Sequence, residues 1–220
     1  MSEPLMYITI PGLEEYPHVT YTWVIMIMLA VLTFVVRGAL HLVPAGWQNF
    51  FEVILVGLAD FMDDAIGPGG RRFMPLIGTL AIFILIANLM GLFPGMSSPT
   101  ANVNTNAALA ITVFVVYQAV GFKKHGFGYI KQFLGPVWWL IPMMLPIEII
   151  SHLARPVTLA VRLFGNIRGE DMVILVLGFL IPLLLPIPMM AFAVFTSVLQ
   201  TLVFILLSIV YLAGALSEEH

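Results

Sequence analysis

The sequence predicts an all-α integral membrane protein with about five transmembrane helices, one interfacial amphipathic helix and a long tilted helical hairpin at its end. Three observations carry that expectation. Of 220 residues, 60% are hydrophobic and only 10% charged, with a mean hydropathy of +1.03; a soluble domain carries roughly 45–50% apolar and about 25% charged residues. Apolar runs near the roughly 20 residues that cross a bilayer recur along the chain. The last third keeps a helical pattern over stretches too long to stand upright in a membrane.

Each element follows in order. The run Tyr21–Val36 is closed by Arg37 and carries Tyr21 and Trp23 where an interfacial aromatic belt would place them. Glu3, Glu14 and Glu15 precede it, so no cleaved signal segment is expected. Trp47–Ile66 has apolar residues at helical spacing and an opposite face of Gln48, Glu52, Asp60, Asp63 and Asp64. That pattern predicts an interfacial helix, with a second, weak span as the rival, although such helices usually have a basic polar face. Gly67-Pro68-Gly69-Gly70 breaks the chain. Met74–Phe93 and Asn106–Phe122 are spans, separated by an uncharged loop over 94–105.

Ile141–Leu180 would form a helix about 60 Å long, twice the hydrocarbon thickness, so it is either broken or strongly tilted. Pro182, Pro186 and Pro188 end it, and Met189–Leu216 returns as a second overlong helix. The whole chain, 1–220, is one membrane domain. Residues 1–45 hold the N-terminal segment and first span, 46–72 the interfacial helix and inside loop, 73–122 two spans, and 141–216 the hairpin. Six of the nine Lys and Arg residues lie after the first or third span, which puts the N-terminus outside and the C-terminus inside.

Composition excludes several classes. A net charge of −3 gives no footprint for nucleic acid, and the chain has no cysteine for disulfides or thiolate sites. The histidines lack metal-ligand spacing, and the 67–70 glycines lack the Lys and Ser/Thr of a phosphate loop. No metal or cofactor is expected, and no nucleotide site.

Arg162 is the most informative residue. An arginine deep in an apolar segment costs about 2.5–3.5 kcal/mol on insertion scales and keeps its charge. The carboxylates of its own helix stand far off, Glu148 about 21 Å and Glu170 about 12 Å along the axis. Glu148, Ser151, Arg155, Thr158, Arg162, Asn166 and Gly169 recur every three or four residues and form one polar stripe. Ser197, Gln200, Ser208 and Tyr211 make a milder stripe on the last helix, with Gln200 the natural hydrogen-bond partner of Arg162. His152 sits off the centre of the first stripe and reads as structural.

The run Arg155-Pro156-Val157-Thr158-Leu159-Ala160-Val161-Arg162-Leu163-Phe164-Gly165-Asn166 resembles the signature segment of subunit a of bacterial F-type ATP synthases. Leu199-Gln200, Ser208-Ile209-Val210-Tyr211-Leu212 and Asn88-Leu89-Met90-Gly91-Leu92-Phe93-Pro94 carry the same resemblance. It implies a non-catalytic stator in a bacterial inner membrane, with a ring of c subunits, the peripheral stalk b subunits, the rest of the complex and lipid as partners. It also implies that Arg162 faces the essential carboxylate of the ring. Asn166 and Glu170 would serve an outer proton half-channel, Gln200 would lie near the arginine, and Glu148 would belong to the inner side.

Two departures stand out. The acid after Asn166 comes one residue early, so Glu170 and Asp171 compete for one role, and Ala193 replaces a His or Glu of some members. Thr158 joins Glu148 on the inner side by charge topology, and Ser197 completes the proton path. The rival function is a secondary transporter that binds an anionic substrate at Arg162; a purely structural membrane subunit is a third.

Overall fold

The computed structural model describes residues 16–38, 46–67, 69–93, 95–126, 141–181 and 186–216. Glu3, Glu14, Glu15, Lys131, Pro182 and the 217–220 terminus lie outside the described residues. Helices make up the described architecture: α1 (Pro17–Arg37), α2 (Trp47–Ile66), α3 (Met74–Met90), α4 (Val103–His125), α5 (Ile141–Leu180) and α6 (Pro186–Leu216), with short 3-10 turns at Gly70–Phe73 and Pro99–Ala101. Among the described residues, α1, α4, α6 and α3 with its preceding turn are long and apolar enough to cross a membrane. Helix α5 is long enough as well but carries the charges read from the sequence.

The helix ends have local causes. Helix α1 starts at Pro17, whose fixed φ and missing N–H suit a first turn. Helix α4 starts three residues earlier than its apolar pattern predicts, because the Asn102 side chain caps it by accepting from the Asn104 N–H at 2.9 Å. Helix α3 stops at Met90, short of Phe93. The chain turns there because Gly91 lets Ser98 come close: a Cβ on Gly91 would stand 2.9 Å from the Ser98 Cβ. Pro186 and Pro188 open α6 rather than end α5, and both stand in its first turn, where proline is tolerated.

Helix α5 runs unbroken for 40 residues through Pro146 and Pro156. Of the two ways to fit an overlong helix into a bilayer, the chain takes the unbroken one, and at about 60 Å it must lie tilted. Helix α6 is the centre of the bundle and touches α2, α3, α4 and α5. Its buried face is mixed, with Ala193, Ser197, Gln200, Thr201, Phe204, Ser208, Ile209 and Leu212 turned inward. The apolar core joins Ile77, Ile84, Val113, Leu159, Leu163, Phe204 and Ile209 across four helices.

The acidic face of α2 differs from expectation. The 67–70 glycines fold the chain back so closely that a Cβ at Gly70 would collide with the Met62 carbonyl. Arg71 then lies over α2, with Nη2 2.6 Å from Asp60 and Nε 2.7 Å from Asp63. One guanidinium therefore bridges two of the three aspartates and offsets one of their charges, and Asp64 is left exposed beside them.

Candidate functional site

The polar stripe of α5 lies along the boundary between its packed and uncovered faces. Leu159, Ala160, Leu163 and Ile167 are buried against the bundle, while Thr158, Arg162, Gly165 and Gly169 are exposed. Asn166, Glu170 and Asp171 lie half-buried at the edge. Among the described residues no carboxylate comes within ion-pair distance of Arg162, and no hydrogen bond joins it to Gln200. Gln200 instead faces the bundle interior, 8% exposed, and its Nε2 has no partner among the described residues. Ser197 is buried beside it, one turn earlier on α6. Gly165 and Gly169 have open space where a Cβ would stand, so packing within this chain does not require their small size.

Toward the end of the bundle where α4 begins, a second polar group appears that sequence reasoning missed. Ser98 Oγ donates to the Ala87 carbonyl at 2.8 Å and lies 2.7 Å from Thr100 Oγ1. Thr100 donates to Asn88 Oδ1 at 2.7 Å, and Asn106 Nδ2 donates to the Thr100 carbonyl at 2.7 Å. Asn88 Nδ2 and Asn106 Oδ1 are buried without partners among the described residues. The 99–101 turn packs against α5, so this group adjoins that helix. Glu170 belongs to the same end: its Oε2 accepts from Thr196 Oγ1 at 3.0 Å, and its Oε1 is buried without a partner. The sequence signal was available in an uncharged Asn/Ser/Thr loop beside Asn88, but nothing in its spacing required the loop to fold inward.

The opposite end gathers a different set. Glu148 Oε1 lies 3.3 Å from His152 Nε2, and Tyr117 Oη lies 3.5 Å from His152 Nδ1. The Arg155 guanidinium stands 5.2 Å from the centre of the Tyr211 ring and 5.9 Å from that of Tyr117, within cation–π range. Thr158 bonds only the Ala154 carbonyl of its own helix, at 2.6 Å. Lys124 Nζ closes this end by donating to the Leu216 carbonyl at 2.7 Å.

A permanent cation on an uncovered face, with separate polar groups toward each end of one helix, suits an ion path shared with another chain. Comparison with known proteins decides the family. The sequence profile of the ATP synthase A chain family matches residues 19–213. The chain belongs to the ATP synthase A chain family. ATP synthase subunit a 1 of Syntrophotalea carbinolica is 51% identical over 96% of this chain and 92% of its own length. ATP synthase subunit a of Trichlorobacter lovleyi is 50% identical and that of Geobacter sulfurreducens 46%, each over 92% of this chain and 88% of the relative.

The family places the chain in an F-type ATP synthase as a multi-pass membrane protein concerned with proton transport and ATP synthesis. These relatives are subunits of an ATP synthase, which favours the subunit reading over a lone carrier.

Proposed function

We propose that this chain is the proton-channel stator of its ATP synthase, and that it offers two offset half-channels which meet only at Arg162. The observation that carries this reading is Arg162 itself: deep in α5, exposed on the uncovered face, and without an ion-pair partner among the described residues. The missing partner is then an anion on another chain, the carboxylate of a rotating c subunit. Gly165 and Gly169 on the same face leave room for a close helix approach.

The N-terminus lies outside and the C-terminus in the cytoplasm. Asn166, Glu170 and Asp171, together with the Asn88–Asn106 group, line the outer half-channel, while Thr158 and Glu148 belong to the inner one. Ser197 and Gln200 supply polar atoms behind Arg162. A proton enters from outside and neutralises the ring carboxylate, which then turns into lipid. After nearly a full turn the carboxyl reaches the inner half-channel and releases its proton. The fixed cation between the two paths favours the ionised carboxylate as it passes and repels a proton taking a direct route. ATP chemistry belongs to other subunits, and the peripheral stalk b subunits hold this one still.

Arg162→Ala in the assembled complex should abolish ATP-driven proton pumping in inverted vesicles. Arg162→Lys should be severely impaired, because a lysine is a deprotonatable and differently hydrated charge. Pumping at the normal rate by Arg162→Ala would overturn the reading.

A further inference from the structure

We propose that His152 is a proton-transfer residue of the inner half-channel, passing protons between the rotor face and Glu148. This rests on the stator reading above and names a group that reading does not use. The imidazole is 3% exposed and is clamped between α4 and α5. Its two nitrogens have different neighbours, Glu148 Oε1 at 3.3 Å from Nε2 and Tyr117 Oη at 3.5 Å from Nδ1. A buried histidine is most often a core residue with its hydrogen bonds satisfied. This one touches a carboxylate one helical turn nearer the start of α5, and that carboxylate is itself 33% exposed. The order along α5 is therefore Arg162, Thr158, His152, Glu148: a fixed charge and a hydroxyl on the uncovered face, then a buried imidazole and a partly exposed carboxylate, the two groups of the series that can carry a proton.

The surrounding charges leave the series open. Arg155 is the nearest cation, yet it lies over the rings of Tyr211 and Tyr117 and makes no ion pair with Glu148 among the described residues. Lys124, from α4, is engaged with the Leu216 carbonyl. The groups that face the imidazole include Glu148 and Arg155 of α5, Tyr117 of α4 and, beyond Arg155, Tyr211 of α6.

The transfer balances simply. The imidazole takes a proton at one nitrogen, relayed through water from the carboxyl of the arriving rotor subunit, because it is buried and about 15 Å along the helix from Arg162. It then gives a proton to the Glu148 carboxylate, which releases it to the inner side. One proton enters and one leaves, and the ring ends neutral. Tyr117 is a positioning residue that fixes the ring plane. Both contacts are long, as hydrogen bonds in a resting site often are before the reacting group arrives.

The test uses the whole ATP synthase in inverted vesicles. His152→Gln keeps the size and hydrogen bonding but cannot carry a proton. It should lower ATP-driven proton flux per assembled complex by about a hundredfold, the lower end of what general acid–base groups contribute, and should flatten the dependence of flux on inner-side pH. His152→Ala should lose as much, and imidazole added on the inner side should restore flux. Tyr117→Phe should lose a few-fold and shift the pH profile. If His152→Ala fails to assemble, the glutamine variant alone decides. Wild-type flux with a wild-type pH profile in His152→Gln overturns the proposal. If Arg162→Ala still abolishes pumping, the stator reading survives that result. Rescue by imidazole from the outer side only would overturn both the proposal and the sidedness beneath it.

Discussion

At the end of the bundle where α4 begins, the buried polar groups are amides, hydroxyls and one carboxylate, and Asn88 Nδ2, Asn106 Oδ1 and Glu170 Oε1 all lack partners among the described residues. At the end where α4 finishes, the groups are an imidazole, two phenols, a carboxylate and a guanidinium, each near the next. An orphaned polar atom in a dry interior costs about 1–3 kcal/mol, so water reaching this end would relieve that cost at all three atoms. The other end is crowded with aromatic rings, and there side chains themselves stand in sequence. Under the proposed function, the difference assigns a half-channel lined mainly by water to one end and one lined mainly by ionisable residues to the other, with the Leu159, Leu163 and Phe204 belt between them.

The largest effect that would break this comparison lies in the acids of the watery end. Replacing both Glu170→Gln and Asp171→Asn should reduce ATP-driven pumping by about a hundredfold, the lower range for loss of an acid–base group. Glu170→Gln alone should account for most of it, because Glu170 bonds Thr196 across to α6 and keeps one oxygen unpartnered among the described residues. Dye-reported acidification of inverted vesicles measures both. Full pumping by the double variant would mean that water and amides suffice and that neither acid conducts.

Much of this was written in the sequence, and the reason is lipid. A charge or proline inside a long apolar run stands out because it is expensive there. Arg162, the stripe around it, the overlong hairpin and the spans could therefore be read from spacing alone. Contacts between helices could not. His152 was placed only by its position off the centre of the stripe on its own helix, and its contact with Tyr117, 35 residues earlier on another helix, was not legible there. Gln200 was matched to Arg162 by depth, yet it turns into the bundle. The aspartates of α2 were read as the polar face of an interfacial helix, and nothing in the pattern says that Arg71 folds back across eleven residues to Asp60. That fold depends on glycines whose left-handed backbone, φ 93° at Gly67 and 102° at Gly69, is visible only in three dimensions.

A smaller but sharper effect separates the two ends by access. The chain has no cysteine, so single cysteines at 148, 158, 166, 170 and 171 need no prior removal of native thiols. A small thiol-reactive cation should modify 166 and 170 from the outer face, and 148 and 158 from the inner face. The rate at 170 should exceed that at 158, since a water-filled path admits the reagent more readily than one that passes Tyr117, His152 and Tyr211. Access to every position from one face would indicate a continuous pore.

The smallest effect concerns Asn88 and Asn106, which either hold the 98–106 turn in place or help to line water. Each does some holding: Asn88 accepts from Thr100, and Asn106 donates to the Thr100 carbonyl. Substitution by leucine, near in size and unable to bond, removes both that bond and the unpartnered atom. If the pair only pegs the turn, Asn88→Leu should lower the amount of assembled complex by the weakening that one lost buried hydrogen bond brings, about 1–3 kcal/mol, and leave flux per complex unchanged. If the pair lines water, flux per assembled complex should fall a few-fold at equal assembly. Asn88→Asp should then conduct at least as well as Asn88→Leu, because a carboxylate can hold water where leucine cannot. The water-lined reading expects the loss of flux per complex and recovery in Asn88→Asp, measured with assembly quantified on the same vesicles. Loss of assembly alone would reduce the outer group to a structural peg, and the contrast between the two ends would then rest on Glu170 and His152.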